Sequence, residues 1–242
     1  MSGARTLSGQ RVVVIGGSSG IGLAVARAAL ADGAEVVVAS SGAATVEAAA
    51  AGLGAGARGA VVDVTDEASV AALFEGIGAL DHLVFTAGDW GPQMMPGPAA
   101  TLDFATVGEG LKVRFWGAMM AVKHAQPRMS EAGSIVLTDG VLVHRPPKGQ
   151  PLVAEFGGAI EHLVRGLAVD LAPIRVNAVC PGLTLTEQWA QAPAEMIQQM
   201  TARQLLPRGA DPAEVAEAYL YAMRGGYTTG QVLIVDGGAL LT

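Results

Sequence analysis

Short apolar runs recur along the chain at Val12–Ile15, Val36–Val38, Ala60–Val62, His82–Phe85, Ser134–Leu137, Arg175–Val179 and Val232–Val235. Each is nearly unbroken in apolar residues, the pattern of parallel strands covered on both faces. Longer, alanine-rich stretches with helical spacing separate them, near residues 21–32, 43–53, 66–77, 103–128, 153–171 and 212–223. Thr65-Asp66-Glu67 and Asp211-Pro212 supply two helix starts, a side-chain acceptor ahead of the first turn and a proline that needs no N–H partner there. Strands joined through helices of this length form right-handed βαβ units. The pattern predicts one α/β domain over residues 1–242, a doubly wound, parallel seven-stranded sheet with helices on both faces.

Three broken stretches, Asp89–Pro98, His144–Pro151 and Thr184–Pro207, follow strand ends. Open α/β sheets bind their ligands at that edge, so these loops are candidates for substrate contact. Glu47–Gly59 reads as a helix tail and loop. Neither a repeat nor a linker marks a second domain.

Composition narrows the partners. Of the 242 residues 51% are hydrophobic and 15% charged, which suits a compact globular chain. Fifteen Lys and Arg against 22 Asp and Glu leave a net charge of −7, a balance that disfavours nucleic acid and anionic membrane. Cys180 is the single cysteine. It excludes an internal disulfide and a thiolate metal cluster, so no metal is expected, and it suits a reducing compartment. No run approaches the roughly 20 apolar residues of a spanning helix, and no leader pattern is present. These features predict a soluble cytoplasmic protein.

The chemistry starts at Gly16-Gly17-Ser18-Ser19-Gly20-Ile21-Gly22, directly after the first apolar run. Gly16, Gly20 and Gly22 would let the backbone turn tightly and approach a pyrophosphate, whose charge meets the N-terminus of the following helix. The preceding strand and following amphipathic helix make this a dinucleotide turn of the Rossmann type.

The glycine spacing resembles that of the short-chain dehydrogenase/reductase family, and the resemblance extends over almost the whole chain. Asp63-Val64 resembles its adenine-contacting aspartate, and Thr86-Ala87-Gly88 its Asn-Ala-Gly element. Arg175–Gly182, ending in Pro181-Gly182, resembles its sixth strand and the turn beside the nicotinamide. Thr184 and Thr186 fall where the family uses a hydroxyl near the carboxamide or pyrophosphate, and Thr229-Gly230-Gln231 with Asp236-Gly237-Gly238 resembles its last strand. The resemblance implies hydride transfer between NAD(P)(H) and a small carbonyl, imine or activated double bond. It also implies a homodimer or homotetramer, with the long helices near 103–128 and 153–171 forming one interface and the last strand region another. An acid ending the second strand would bind the ribose of NAD, and an arginine the 2′-phosphate of NADP. This chain has Ala39-Ser40-Ser41, which weakly favours NADP(H) over NAD(H), unless Ser40 and Ser41 are only a solvated turn.

The family's reacting residues are a tyrosine, a lysine, a serine and an asparagine. Aligned through Glu161-His162-Leu163 and Leu167–Pro173, the tyrosine, lysine and serine slots fall on Val153, Gly157 and Gly140, and the segment Lys112–Gly117 puts Arg114 in the asparagine slot. Tyr219, Tyr221 and Tyr227 lie far along the chain. Arg114 should project from its helix towards the site, where it could bind an anionic group or pair with Asp139. Asp139 ends the fifth strand beside Gly140, and alternation turns it away from the site unless the strand has already bent. His144 sits on a loop at the ligand edge. Helical periodicity puts Val153, Phe156, Gly157 and Ile160 towards the site and Glu155 opposite. Asp89 and Trp90 would shape the pocket. Arg114, Asp139 and His144 are the candidate catalytic residues. Either the protein is an oxidoreductase with a substitute acid or a pre-activated substrate such as an iminium, or it is a catalytically silent NADP-binding protein acting as a sensor or oligomer partner.

Overall fold

A computed structural model describes residues 6–88, 97–103, 108 and 111–242; Asp89 and Trp90 lie outside them. Seven parallel strands form one sheet: β1 (Arg11–Ile15), β2 (Glu35–Ser40), β3 (Ala57–Val61), β4 (Leu80–Phe85), β5 (Met129–Thr138), β6 (Arg175–Pro181) and β7 (Val232–Val235). Their spatial order is β3-β2-β1-β4-β5-β6-β7. The direction of winding reverses between β1 and β4, whose ends pair Ile15 with Phe85. That reversal opens the crevice where such sheets take ligands.

The helices are α1 (Gly20–Ala31), α2 (Ala43–Leu53), α3 (Glu67–Ile77), α4 (Ala118–Ala125), α5 (Leu152–Asp170), α6 (Ala194–Thr201) and α7 (Pro212–Arg224). Two starts are capped by the expected residues. Asp66 accepts from Ala68 N–H at 3.1 Å. At α7, Asp211 accepts from Ala213 N–H while Glu214 accepts from Asp211 N–H, both bonds closing one capping box. The sheet is buried on both faces. Phe74 of α3, Ala121 of α4 and Ile160 of α5 pack on one side, and Val25 of α1, Ala49 of α2 and Tyr219 of α7 on the other.

The helix expected over 103–128 is described from Lys112 onwards. It opens as a π-helical segment, Lys112–Gly117, before continuing as α4. Wider turns of this kind concentrate at functional sites, and this one carries Arg114. The stretch 184–207, expected to be irregular, contains α6. Its polar, weakly periodic sequence hid it, with Pro193 directly ahead of the first turn. Among the described residues no helix is long and apolar enough to cross a membrane.

Candidate active site

The glycines of the first turn are fixed by what surrounds them. Gly16, at φ +86°, donates to Ala39 O at 2.8 Å, and a Cβ on it would overlap Ala87 N and the Thr86 carbonyl carbon. A Cβ on Gly22 would overlap Gly16 O. Gly20 adopts φ +53°, a left-handed conformation that glycine tolerates. The loop can therefore lie flat against β4 only without side chains. Helix α1 begins here with no side-chain cap and no acid in its first turn, leaving its positive end available to an anion. One carboxylate already exploits it: Glu187 Oε2 accepts from Gly20 N–H at 2.9 Å.

Around this turn lies a cavity of about 1100 Å³. That is slightly above the roughly 300–1,000 Å³ range of ordinary ligand pockets. Gly16, Ser18, Ser19, Gly20, Ile21 and Gly22 form its floor at the α1 end. Ser40, Ser41, Asp63 and Val64 line the next stretch of wall, past β2 and β3. Asp63 accepts from both the backbone N–H and the hydroxyl of Thr65, at 2.8 and 2.7 Å. These bonds, the hydroxyl's first, hold its carboxyl below the usual range. Thr86, Ala87 and Gly88 follow β4, with Thr86 Oγ1 donating to Ile15 O at 3.2 Å. Pro181, Gly182, Thr184 and Thr186 close the far side. Gly182 N–H donates to Val235 O at 2.9 Å, and Thr184 Oγ1 to Gly182 O at 3.1 Å. The glycine cradle and the exposed end of α1 suit a nicotinamide dinucleotide, bound through its pyrophosphate.

Arg114, Thr138, Asp139 and Gly140 line the same cavity at its inner end. Among the described residues its wall includes neither tyrosine nor lysine. Arg114 is buried, its guanidinium laid so closely over Gly88 that a Cβ there would overlap it. β5 ends at Thr138, so strict alternation no longer governs Asp139. Its side chain turns inward and is only 2% exposed. Neither Asp139 oxygen meets an amide or hydroxyl donor. The polar groups acting on it are the Glu161 carboxyl and the Cys180 thiol. Burial, with the second acid alongside, pushes the Asp139 carboxyl up to about 8 despite the nearby Arg114 charge.

His144 lies just past the short 3-10 turn Val141–Val143 and is not on the cavity wall. Its Nε2 lies 2.8 Å from Glu161 Oε1, close enough for an ion pair although the ring N–H is off the line of a hydrogen bond. Val153, Phe156, Gly157 and Ile160 form the buried face of α5, and Glu155 is exposed. Gly140, Val153 and Gly157 share a water-sized space of about 20 Å³ with Arg114 and Asp139. Val143 packs against Gly157, where a Cβ would collide with it. Tyr219 is buried on the opposite face of the sheet, its hydroxyl 2.7 Å from Thr138 Oγ1, which itself donates to Phe85 O.

Glu161 is the polar residue that sequence reasoning passed over. It sits on the buried face of α5, 8% exposed and five residues beyond Phe156. An acid at a core position of an amphipathic helix was the available signal.

The family model described as enoyl-(acyl carrier protein) reductase matches residues 15–239. The short-chain dehydrogenase/reductase ATR9 of Stachybotrys chlorohalonatus is 38% identical over 98% of this chain and 99% of its own. Among solved structures, the MalC reductase/Diels-Alderase of Malbranchea aurantiaca superposes with TM-score 0.90 at 32% identity, covering 98% of both chains. A small-chain dehydrogenase in complex with NADPH superposes with TM-score 0.80 at 34% identity, over 96% of this chain and 99% of that one. With its sheet order, glycine turn and full-length likeness to these proteins, the chain belongs to the short-chain dehydrogenase/reductase family and is an oxidoreductase of that type.

Proposed function

We propose that this protein is an NADP(H)-dependent reductase of imines and similarly activated double bonds, with Asp139 as its acid. The observation that carries the reading is a neutral, buried carboxyl on the wall of a cavity whose described lining holds no tyrosine or lysine. The family's serine, tyrosine and lysine slots correspond to Gly140, Val153 and Gly157, none of which can move a proton.

Gly16, Gly20 and Gly22 would hold the pyrophosphate, Asp63 the adenine, and Ser40 and Ser41 the 2′-phosphate. No carboxylate beside those serines repels that phosphate, and the similar dehydrogenase described with NADPH supports the preference. Pro181, Gly182, Thr184 and Thr186 would position the nicotinamide end. The bound cofactor supplies hydride. Asp139 supplies the proton: its neutral O–H donates to a basic imine nitrogen and leaves a cation that accepts hydride at carbon. Arg114 then faces the resulting carboxylate and stabilises its charge. A ketone needs more help than this site gives, because a carbonyl oxygen is far less basic than an imine nitrogen. MalC is described as a reductase and a Diels-Alderase; the reductase activity is what the proposal carries over.

With NADPH, dihydroisoquinoline should be turned over and its carbocyclic ketone counterpart, α-tetralone, should not. Equal rates on both, or reduction of the ketone alone, would overturn the assignment.

A further inference from the structure

We propose that Glu161 and His144 form a proton relay from solvent to Asp139, an inference that rests on reading Asp139 as the acid. The three groups come from separate elements and meet in sequence. Asp139 lies on the cavity wall after β5, its Cβ 3.6 Å from where a Cβ on Gly157 would stand. Glu161 follows Gly157 by one turn on the buried face of α5, alongside the Asp139 carboxyl, and His144 Nε2 stands 2.8 Å from Glu161 Oε1. The His144 side chain is 33% exposed, so the line runs from the site to water. Two abutting buried acids cannot both ionise cheaply, so a proton is held between Asp139 and Glu161.

The remaining groups facing this pair do not carry the proton. Arg114, from the π-helical segment, stays charged. The Cys180 thiol on β6 is pushed up by burial and by Asp139, and Tyr219 from α7 is pushed up by burial, so both stay protonated. Asp236, past β7, acts on Cys180 from behind.

The balance is simple. Hydride adds at the imine carbon and forms the C–H bond; the Asp139 O–H bond breaks and an N–H bond forms. The substrate is reduced by two electrons and NADPH is oxidised. That leaves both acids ionised; His144 then gives a proton to Glu161, Glu161 passes it to the Asp139 carboxylate, and water reprotonates His144. An imidazole suits the outer position because one ring nitrogen can take up a proton while the other releases one.

Glu161→Gln and His144→Ala should be compared with the unaltered protein on two probes, with NADPH in excess. Dihydroisoquinoline, as the free base, needs a proton; the N-methyldihydroisoquinolinium cation needs none. Turnover of the imine should fall about tenfold or more, while the cation changes by less than about twofold. Added imidazole should restore His144→Ala but not Glu161→Gln. Equal slowing of both probes would show a structural role, and an unaffected imine rate would remove the relay. The His144, Glu161 and Cys180 donor atoms also lie within 4.8 Å of one another; a transition metal retained stoichiometrically through chelator dialysis would overturn the relay as well. Failure of the unaltered protein on both probes, or an undiminished Asp139→Asn on the imine, would bring down the acid assignment and the relay with it. Loss in Asp139→Asn with both relay variants intact removes the relay alone.

Discussion

Asp139→Asn keeps the shape of the side chain and removes its proton. An ordinary aspartate, at 3.8, is neutral in on the order of one molecule in a thousand at pH 7, whereas one raised to about 8 is neutral in roughly nine of ten. The buried setting thus supplies about 10³-fold more acid, and loss of a positioned acid costs about 10²–10⁴-fold in rate. The variant should therefore reduce dihydroisoquinoline about 10³-fold more slowly, followed as NADPH absorbance in a stopped-flow instrument, and keep NADPH affinity in calorimetry. In the unaltered protein the rate should hold below about pH 8 and fall tenfold per unit above it. Stability follows the same group. Between about pH 4 and pH 8 the folded state binds a proton that the unfolded state has released, so stability should decline across that window and level off above it. Asp139→Asn should flatten that part of the melting-temperature profile. A variant within a few-fold of the parent, with an unchanged pH profile, would show that the proton comes from elsewhere.

Further outcomes follow from contacts at and behind the site. Glu187→Ala removes the carboxylate that competes for Gly20 N–H. It should tighten NADPH by about 1 kcal/mol, roughly fivefold in Kd, since the contact is exposed; an unchanged Kd in calorimetry would refute the competition. Tyr219→Phe deletes a fully buried hydroxyl that bonds Thr138. It should cost about 1 kcal/mol in denaturant titration and leave imine turnover intact, since this tyrosine supports the sheet and not the reaction. Asp211→Ala opens the capping box of α7 and should cost about 1 kcal/mol, a drop of about 2–4 °C in Tm for a chain of this length.

Much of the fold was legible because most strands carry an apolar run and each long helix shows its own period. β3, an edge strand, is the exception, spanning Ala57–Val61 with Arg58 exposed where the apolar run pointed to Ala60–Val62. Helix α2 spans Ala43–Leu53, as its spacing predicted, and β7 spans Val232–Val235. β5 was harder: its first residues, Met129–Ala132, are polar or half-exposed and lie ahead of the apolar run. The glycine turn was legible for a stronger reason, since a backbone that must touch β4 leaves no freedom of residue type at Gly16 and Gly22. The inner end of the site was less so. Asp139 depends on where a strand stops, which alternation cannot reveal. The side chain of His144 turns to Glu161 because an acid is buried there, a tertiary circumstance invisible in a loop sequence. Glu187 reaches Gly20 across 167 positions of chain, beyond any local pattern.

The crowding of Val143 against Gly157 ties two positions together. A side chain introduced at position 157 would have no path out of the helix while Val143 stays in place, since even its first carbon collides with the valine. A larger residue there is admitted only together with a smaller one at 143 or a retreat of the turn beyond β5, so the pair is open to joint change and closed to single steps.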